Sequence, residues 1–113
     1  VNPVIRPRAR DDIIRQFRWY LVNKDAADTA YRFLDAFEES VQQLISTPHM
    51  GSPRALKNRH LEGLRAWPVK GFEEIVIFYL TEGETVRVIR VLHGRRDLER
   101  ILGQESVDDD ARH

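Results

Sequence analysis

From residue 8 to about residue 23, apolar side chains fall at Ile13, Ile14, Phe17, Tyr20 and Leu21. This i, i+3, i+4, i+7 spacing predicts an amphipathic helix, with Arg8, Asp11, Arg15 and Arg18 largely outside its stripe. Pro7 suits the first helical position, where its missing N–H is no loss. A second stripe, Ala30, Phe33, Leu34, Phe37, Val41, Leu44 and Ile45, predicts a helix that Asp25 would cap and that ends near Ser46. Only a few residues around Lys24 separate the two, so they should form an antiparallel hairpin.

The periodicity then changes. Residues 47–62 hold two prolines, a glycine and several basic groups, and read as a loop with one helical turn near Arg54 to Lys57. Three strands follow, over residues 63–69, 74–80 and 85–92, with turns at Lys70-Gly71 and Glu82 to Glu84. The middle one, EIVIFYL, is apolar throughout, the mark of a central strand buried on both faces. On the last strand, alternation puts Val86, Val88, Arg90 and Leu92 on one face. With a short extended piece at PVIRP, the order is β-α-α-β-β-β, an α+β fold. The helical hairpin should pack on one face of an antiparallel sheet, the first strand should join an edge, and the other face should be only partly covered.

Composition narrows the functional classes. Charged residues make up 32% of the chain, an ordinary balance for a globular domain. Without cysteine there is no disulfide and no thiolate metal site. The four histidines, at positions 49, 60, 93 and 113, show no ligand spacing, so neither a metal nor another cofactor is expected. The start lacks the apolar run of a signal peptide and no segment is long enough to span a bilayer, which favours a cytoplasmic protein. A first residue of valine suggests processing or trimming. The formal net charge is zero, but residues 104–113 hold four acidic groups against one basic. We expect one domain over residues 1–103, followed by an acidic, flexible tail over 104–113. The domain itself carries 17 basic against 14 acidic side chains, too small an excess for strong direct nucleic-acid binding.

Two linked stretches, GLRAWPVKGFEEIVIFYL and VRVIRVLHGRRDLERIL, resemble the ParE/RelE superfamily of bacterial type II toxins. The resemblance runs from about Asn2 to Leu102 and is nearest to the ParE branch, whose pattern of an LR-x-(W/F)-PV strand, an FY strand and V-x-V-L-H-G-x-R-D these residues match. It implies a ParD-like antitoxin of the ribbon-helix-helix type as partner and DNA gyrase as target, with inhibition by binding rather than by bond chemistry. The RelE-like alternative is ribosome-dependent cleavage of messenger RNA, and a third reading is an inactive relative that only binds its antitoxin.

The residues separate these readings in part. RNA cleavage needs a base for the 2′-hydroxyl, a cation for the phosphate and an acid for the leaving oxygen. Candidates here are Arg65, Arg90, His93 and Arg96. Yet Glu73 and Glu74 stand where the RelE-like pattern carries a cation, and no tyrosine follows HGRRDLERIL. Both departures favour a toxin that is not an enzyme. His93 can instead bond backbone to fix a turn, Gly94 can supply a positive φ or a close approach, and Asp97 can pair with Arg95 or Arg96 or cap the helix that follows. Arg90, among apolar neighbours, needs either an internal carboxylate or a partner's. For gyrase the candidates are His93, Arg95, Arg96 and Arg100; for the antitoxin they are Trp19, Arg65, Trp67 and Arg90. The basic run Arg54, Lys57, Arg59 and His60 is a solvated loop or a docking point for an acidic surface.

Overall fold

The computed structural model describes residues 3–23 and 26–105 of the 113. Strand β1 (Val4–Ile5) leads into helix α1 (Pro7–Val22) and helix α2 (Ala27–Ser46). A long connection carries the two-residue strand β2 (Ser52–Pro53) and a 3-10 turn at Arg59–Leu61. Strands β3 (Arg65–Val69), β4 (Phe72–Glu82) and β5 (Thr85–His93) and helix α3 (Leu98–Leu102) complete the order. The sheet runs β1-β5-β4-β3-β2, with β1 parallel to β5 and the other neighbours antiparallel. The α+β reading therefore holds, with β2 added at the far edge. The helical turn anticipated near Arg54 forms instead at Arg59–Leu61, where the Asn58 side chain accepts from the His60 N–H. Asp25, expected to cap α2, lies outside the described residues.

Alternation along β4 sorts the core into two layers. Ile75, Ile77 and Tyr79 point to the helices and pack with Phe33, Phe37, Val41 and Leu44 of α2 and Ala9 of α1. Val76, Phe78 and Leu80 point the other way, to Leu61, Leu64, Leu92 and Leu102. β4 is thus buried on both faces. For the opposite sheet face the sequence suggested only partial cover. The loop before β3 and α3 cover it, with Leu56, Leu98 and Ile101 at the margin. Asn58 joins these two coverings by donating to the carbonyls of Leu102 and Glu105, at 2.8 and 2.9 Å.

A bulge in β5 corrects the expected facing of its side chains. Phe78 lies opposite Arg90 but Tyr79 lies opposite Val88, so Ile89 is the extra residue. Beyond it the alternation changes phase. Val86, Val88 and Val91 join the helix-side layer, whereas Ile89 and Leu92 join the other. Arg90 therefore does not share one face with Val86 and Val88.

Candidate functional site

Arg90 is the centre of a buried charged cluster. Its Nε and Nη2 donate to both oxygens of Asp12 on α1, at 2.7 and 2.9 Å, and its Nη1 donates to Glu105 Oε1 at 2.6 Å. Asp12 also accepts the Val91 N–H at 3.0 Å, and Arg6 donates to the second oxygen of Glu105 at 3.3 Å. Asp12, Glu105 and Arg6 are buried. The hydrogen bonds that Arg90 donates to Asp12, opposed by burial and assisted by Glu105, raise the Arg90 pKa above the ordinary arginine value. Of the two sequence readings of Arg90, the internal pair is the one formed. Asp12 was missed because it sits one residue from Asp11 in a helix whose polar residues all looked solvent-facing. Glu105, which the sequence reading places in the acidic tail, is buried here; residues 106–113 lie outside the described residues.

Arg65 is also tied inward. Its Nη1 donates to the carbonyls of His49 and Gly51, at 3.0 and 2.7 Å, which pins the loop that carries β2. β3 is separated from β5 by β4, so Arg65 and Arg90 serve different parts of the fold. Trp67 is half-buried against the helix-side layer, and Trp19 is exposed to 40% on α1. The four antitoxin candidates therefore do not form one surface.

At the end of β5, His93 faces Ile75 across the strand pair. Its imidazole makes no hydrogen bond to the described residues, so it does not fix the turn. Backbone does this: Gly94 N–H donates to Glu74 O at 2.9 Å, and Arg96 N–H to His93 O at 3.2 Å. Gly94 has no positive φ, and a Cβ there would meet Val76 Cγ2 only at 3.4 Å. Asp97 caps α3 by accepting the Arg100 N–H at 3.2 Å, and its carboxylate lies 3.6 Å from the Arg100 guanidinium, not against Arg95 or Arg96. Arg95, Arg96 and Arg100 are exposed. Of the four RNA-cleaving candidates, only His93 and Arg96 meet, at a small hollow of about 50 Å³ that Asp12 and Arg15 also line. Arg54, Lys57 and Arg59 rim a larger hollow of about 670 Å³ within their own loop. Among the described residues no group of side chains has the makings of a metal site.

Two further surfaces stand out. Ile14 on α1 is 47% exposed and Tyr31 on α2 is 60% exposed; the Tyr31 ring meets Phe17 edge-on at 5.2 Å. Beside them a hollow of about 310 Å³ lies between β1, α1 and α2, lined by Ile5, Arg10, Ile13, Ile14 and Phe37. On the other flank, α1 and the β4 and β5 ends enclose a hollow of about 370 Å³ that His93 shares with Trp19, Tyr20 and Phe72. Periodicity placed Tyr20 on the apolar stripe of α1 but did not show that it would line a groove.

The profile of the ParE toxin of the type II toxin–antitoxin system parDE matches residues 4–98. The chain belongs to the ParE toxin family. In fold this ParE-family chain is similar to a solved chain of the chromosomal ParDE toxin–antitoxin system from P. aeruginosa, with a TM-score of 0.59 at 12% identity, covering 80% of this chain and 95% of that one. Comparison with curated protein sequences found no match. The family match ends at residue 98, so Glu105, which completes the ion-pair cluster of this ParE-family chain, lies beyond it.

Proposed function

We propose that this ParE-family chain is a toxin that inhibits DNA gyrase by binding it, and that a ParD-like antitoxin neutralises it in the cytoplasm. The observation that carries the reading is where the arginines go. Arg90 is held by Asp12 and Glu105, and Arg65 by loop carbonyls, so neither guanidinium is available to stabilise a scissile phosphate. Glu73 and Glu74, exposed at the start of β4, would repel RNA. Binding chemistry, in contrast, is well supplied.

The antitoxin surface we favour is the apolar strip of Ile14, Phe17 and Tyr31 with the hollow beside β1. It suits the apolar face of an amphipathic segment. The two-residue β1 pairs with β5 on one side and stands at the sheet's edge, where an extended segment can add. The opposite sheet face is covered by α3 and the loop before β3 and offers no comparable seat. Among the described residues no helix is long and apolar enough to cross a membrane.

The test is induced expression in bacteria with and without the antitoxin. Growth arrest that the antitoxin relieves, with Ile14→Asp and Tyr31→Ala weakening that relief, supports the reading. Unrestricted growth at full expression would favour the inactive relative.

A further inference from the structure

The groove on the β5 flank has an unusual distribution of charge. At one end Trp19, Tyr20 and Phe72 line the hollow of about 370 Å³ together with Glu73, Glu74 and His93. The rings are set edge to face: Trp19 and Tyr20 have centroids 5.3 Å apart, and Tyr20 and Phe72 5.8 Å. Edge-to-face packing leaves ring faces turned in different directions, and a ring face attracts a cation. Glu73 accepts the Gly71 N–H at 2.6 Å, and neither carboxylate forms an ion pair with the described residues. Burial and the Glu74 charge together outweigh the Gln16 hydrogen bond and raise the Tyr20 pKa, so the Glu74 field reaches into the hollow. Gln16 and His93 also line a second, small hollow with Arg15, Arg96 and Asp12, where the Arg15 guanidinium lies 3.4 Å from the buried Asp12 carboxylate and Arg96 is exposed. The two hollows thus adjoin and form a shallow groove, acidic and aromatic in the larger and bordered by the exposed cations of Arg15 and Arg96 in the smaller.

We propose that this groove is where the toxin engages its target protein, and that the acidic, aromatic end receives an arginine or lysine side chain of that target. The inference deepens the toxin reading and rests on it. A phosphate backbone, negative along its whole length, would meet Glu73 and Glu74 unfavourably; a protein segment with a cation followed by an anion matches both ends. The antitoxin has a better seat in the apolar strip on the other flank of α1. Tight, long-lived interfaces are the more apolar, whereas a concave charged groove suits a partner met briefly.

The decisive variant is Glu73→Gln combined with Glu74→Gln. Glutamine at position 73 can still accept the Gly71 N–H, and both side chains are exposed, so the fold is retained. Wild type and variant are compared for the toxin level that arrests growth, for capture of the cognate antitoxin, and for thermal unfolding. We expect the variant to need about tenfold more protein for arrest, a loss of order 1.4 kcal/mol in target binding. Antitoxin capture and unfolding should not change. Trp19→Leu should mimic the loss and Trp19→Phe should largely spare it. Arrest at the wild-type level would overturn the proposal, and so would a parallel loss of antitoxin capture, which would make the antitoxin the occupant. If the wild type itself arrests nothing, the toxin reading has failed, and the pocket inference falls with it.

Discussion

Asp12 on α1 holds the Arg90 guanidinium on β5 by a two-point contact, at 2.7 and 2.9 Å, across 78 positions of sequence. The pair fixes how α1 lies on the sheet, because the same carboxylate also accepts the Val91 N–H. Paired, planar guanidinium–carboxylate contacts of this kind specify geometry as well as energy. The Arg90 charge persists throughout the ordinary pH range, since its pKa is raised and not lowered.

Removing one partner leaves the other charge buried. Asp12→Ala should therefore lower the unfolding free energy by about 3–5 kcal/mol. Denaturant unfolding checks this. A double replacement, Asp12→Leu with Arg90→Met, should recover part of the loss, because no isolated charge then remains in the interior. A single variant within about 0.5 kcal/mol of wild type would mean that the pair contributes little to the fold.

Glu105 makes a second prediction, about the end of the folded unit. It bonds Arg90 and Arg6, and its backbone carbonyl accepts from Asn58. A chain ended after residue 103 should melt well below one ended after residue 105. Glu105→Ala in the full chain should cost about 3 kcal/mol. Equal melting temperatures for the two truncations would place the boundary at residue 103.

Much of the fold was legible because it rests on local periodicity. The stripes of α1 and α2 and the unbroken apolar run of β4 each have a single sensible reading, and the structure follows them. The site was less legible, for reasons that lie in long-range contacts. The role of Asp12 depends on an arginine 78 positions away, and that of Glu105 on Arg6 at the opposite end of the chain. The bulge at Ile89 changes the face of every residue after it, and no residue type announces it. Burial chemistry alone indicated that Arg90 needs a carboxylate; that the carboxylates are internal, and that they are Asp12 and Glu105, had to come from the structure.

Tyr79 and Gly51 give a third prediction. The Tyr79 hydroxyl donates to Pro48 O at 2.8 Å and accepts the Gly51 N–H at 3.0 Å, and a Cβ at position 51 would run into the hydroxyl and ring. Gly51→Ala should cost about 1–3 kcal/mol in denaturant unfolding. Tyr79→Phe, which strands a buried N–H, should cost a similar about 1–3 kcal/mol.

The same tyrosine predicts an alkaline response. Burial raises its pKa above the ordinary 10.0, outweighing the Gly51 hydrogen bond and the Arg65 charge. The neutral form is therefore favoured in the folded state. Its contribution to stability is complete below pH 10 and is lost as pH rises through the folded value. Ultraviolet titration should show Tyr79 ionising later than in the unfolded chain, with stability declining over that interval. Wild type and Tyr79→Phe should converge in stability there; parallel curves would contradict the assignment.

The most direct measurement for the account as a whole is supercoiling of relaxed plasmid by DNA gyrase in the presence of the purified protein, run beside an in vitro translation reaction. We expect supercoiling to fall, or cleaved DNA to accumulate, while translation continues and messenger RNA stays intact. Cut messenger RNA with normal supercoiling would contradict the account and would make His93 and Arg96 the first residues to replace.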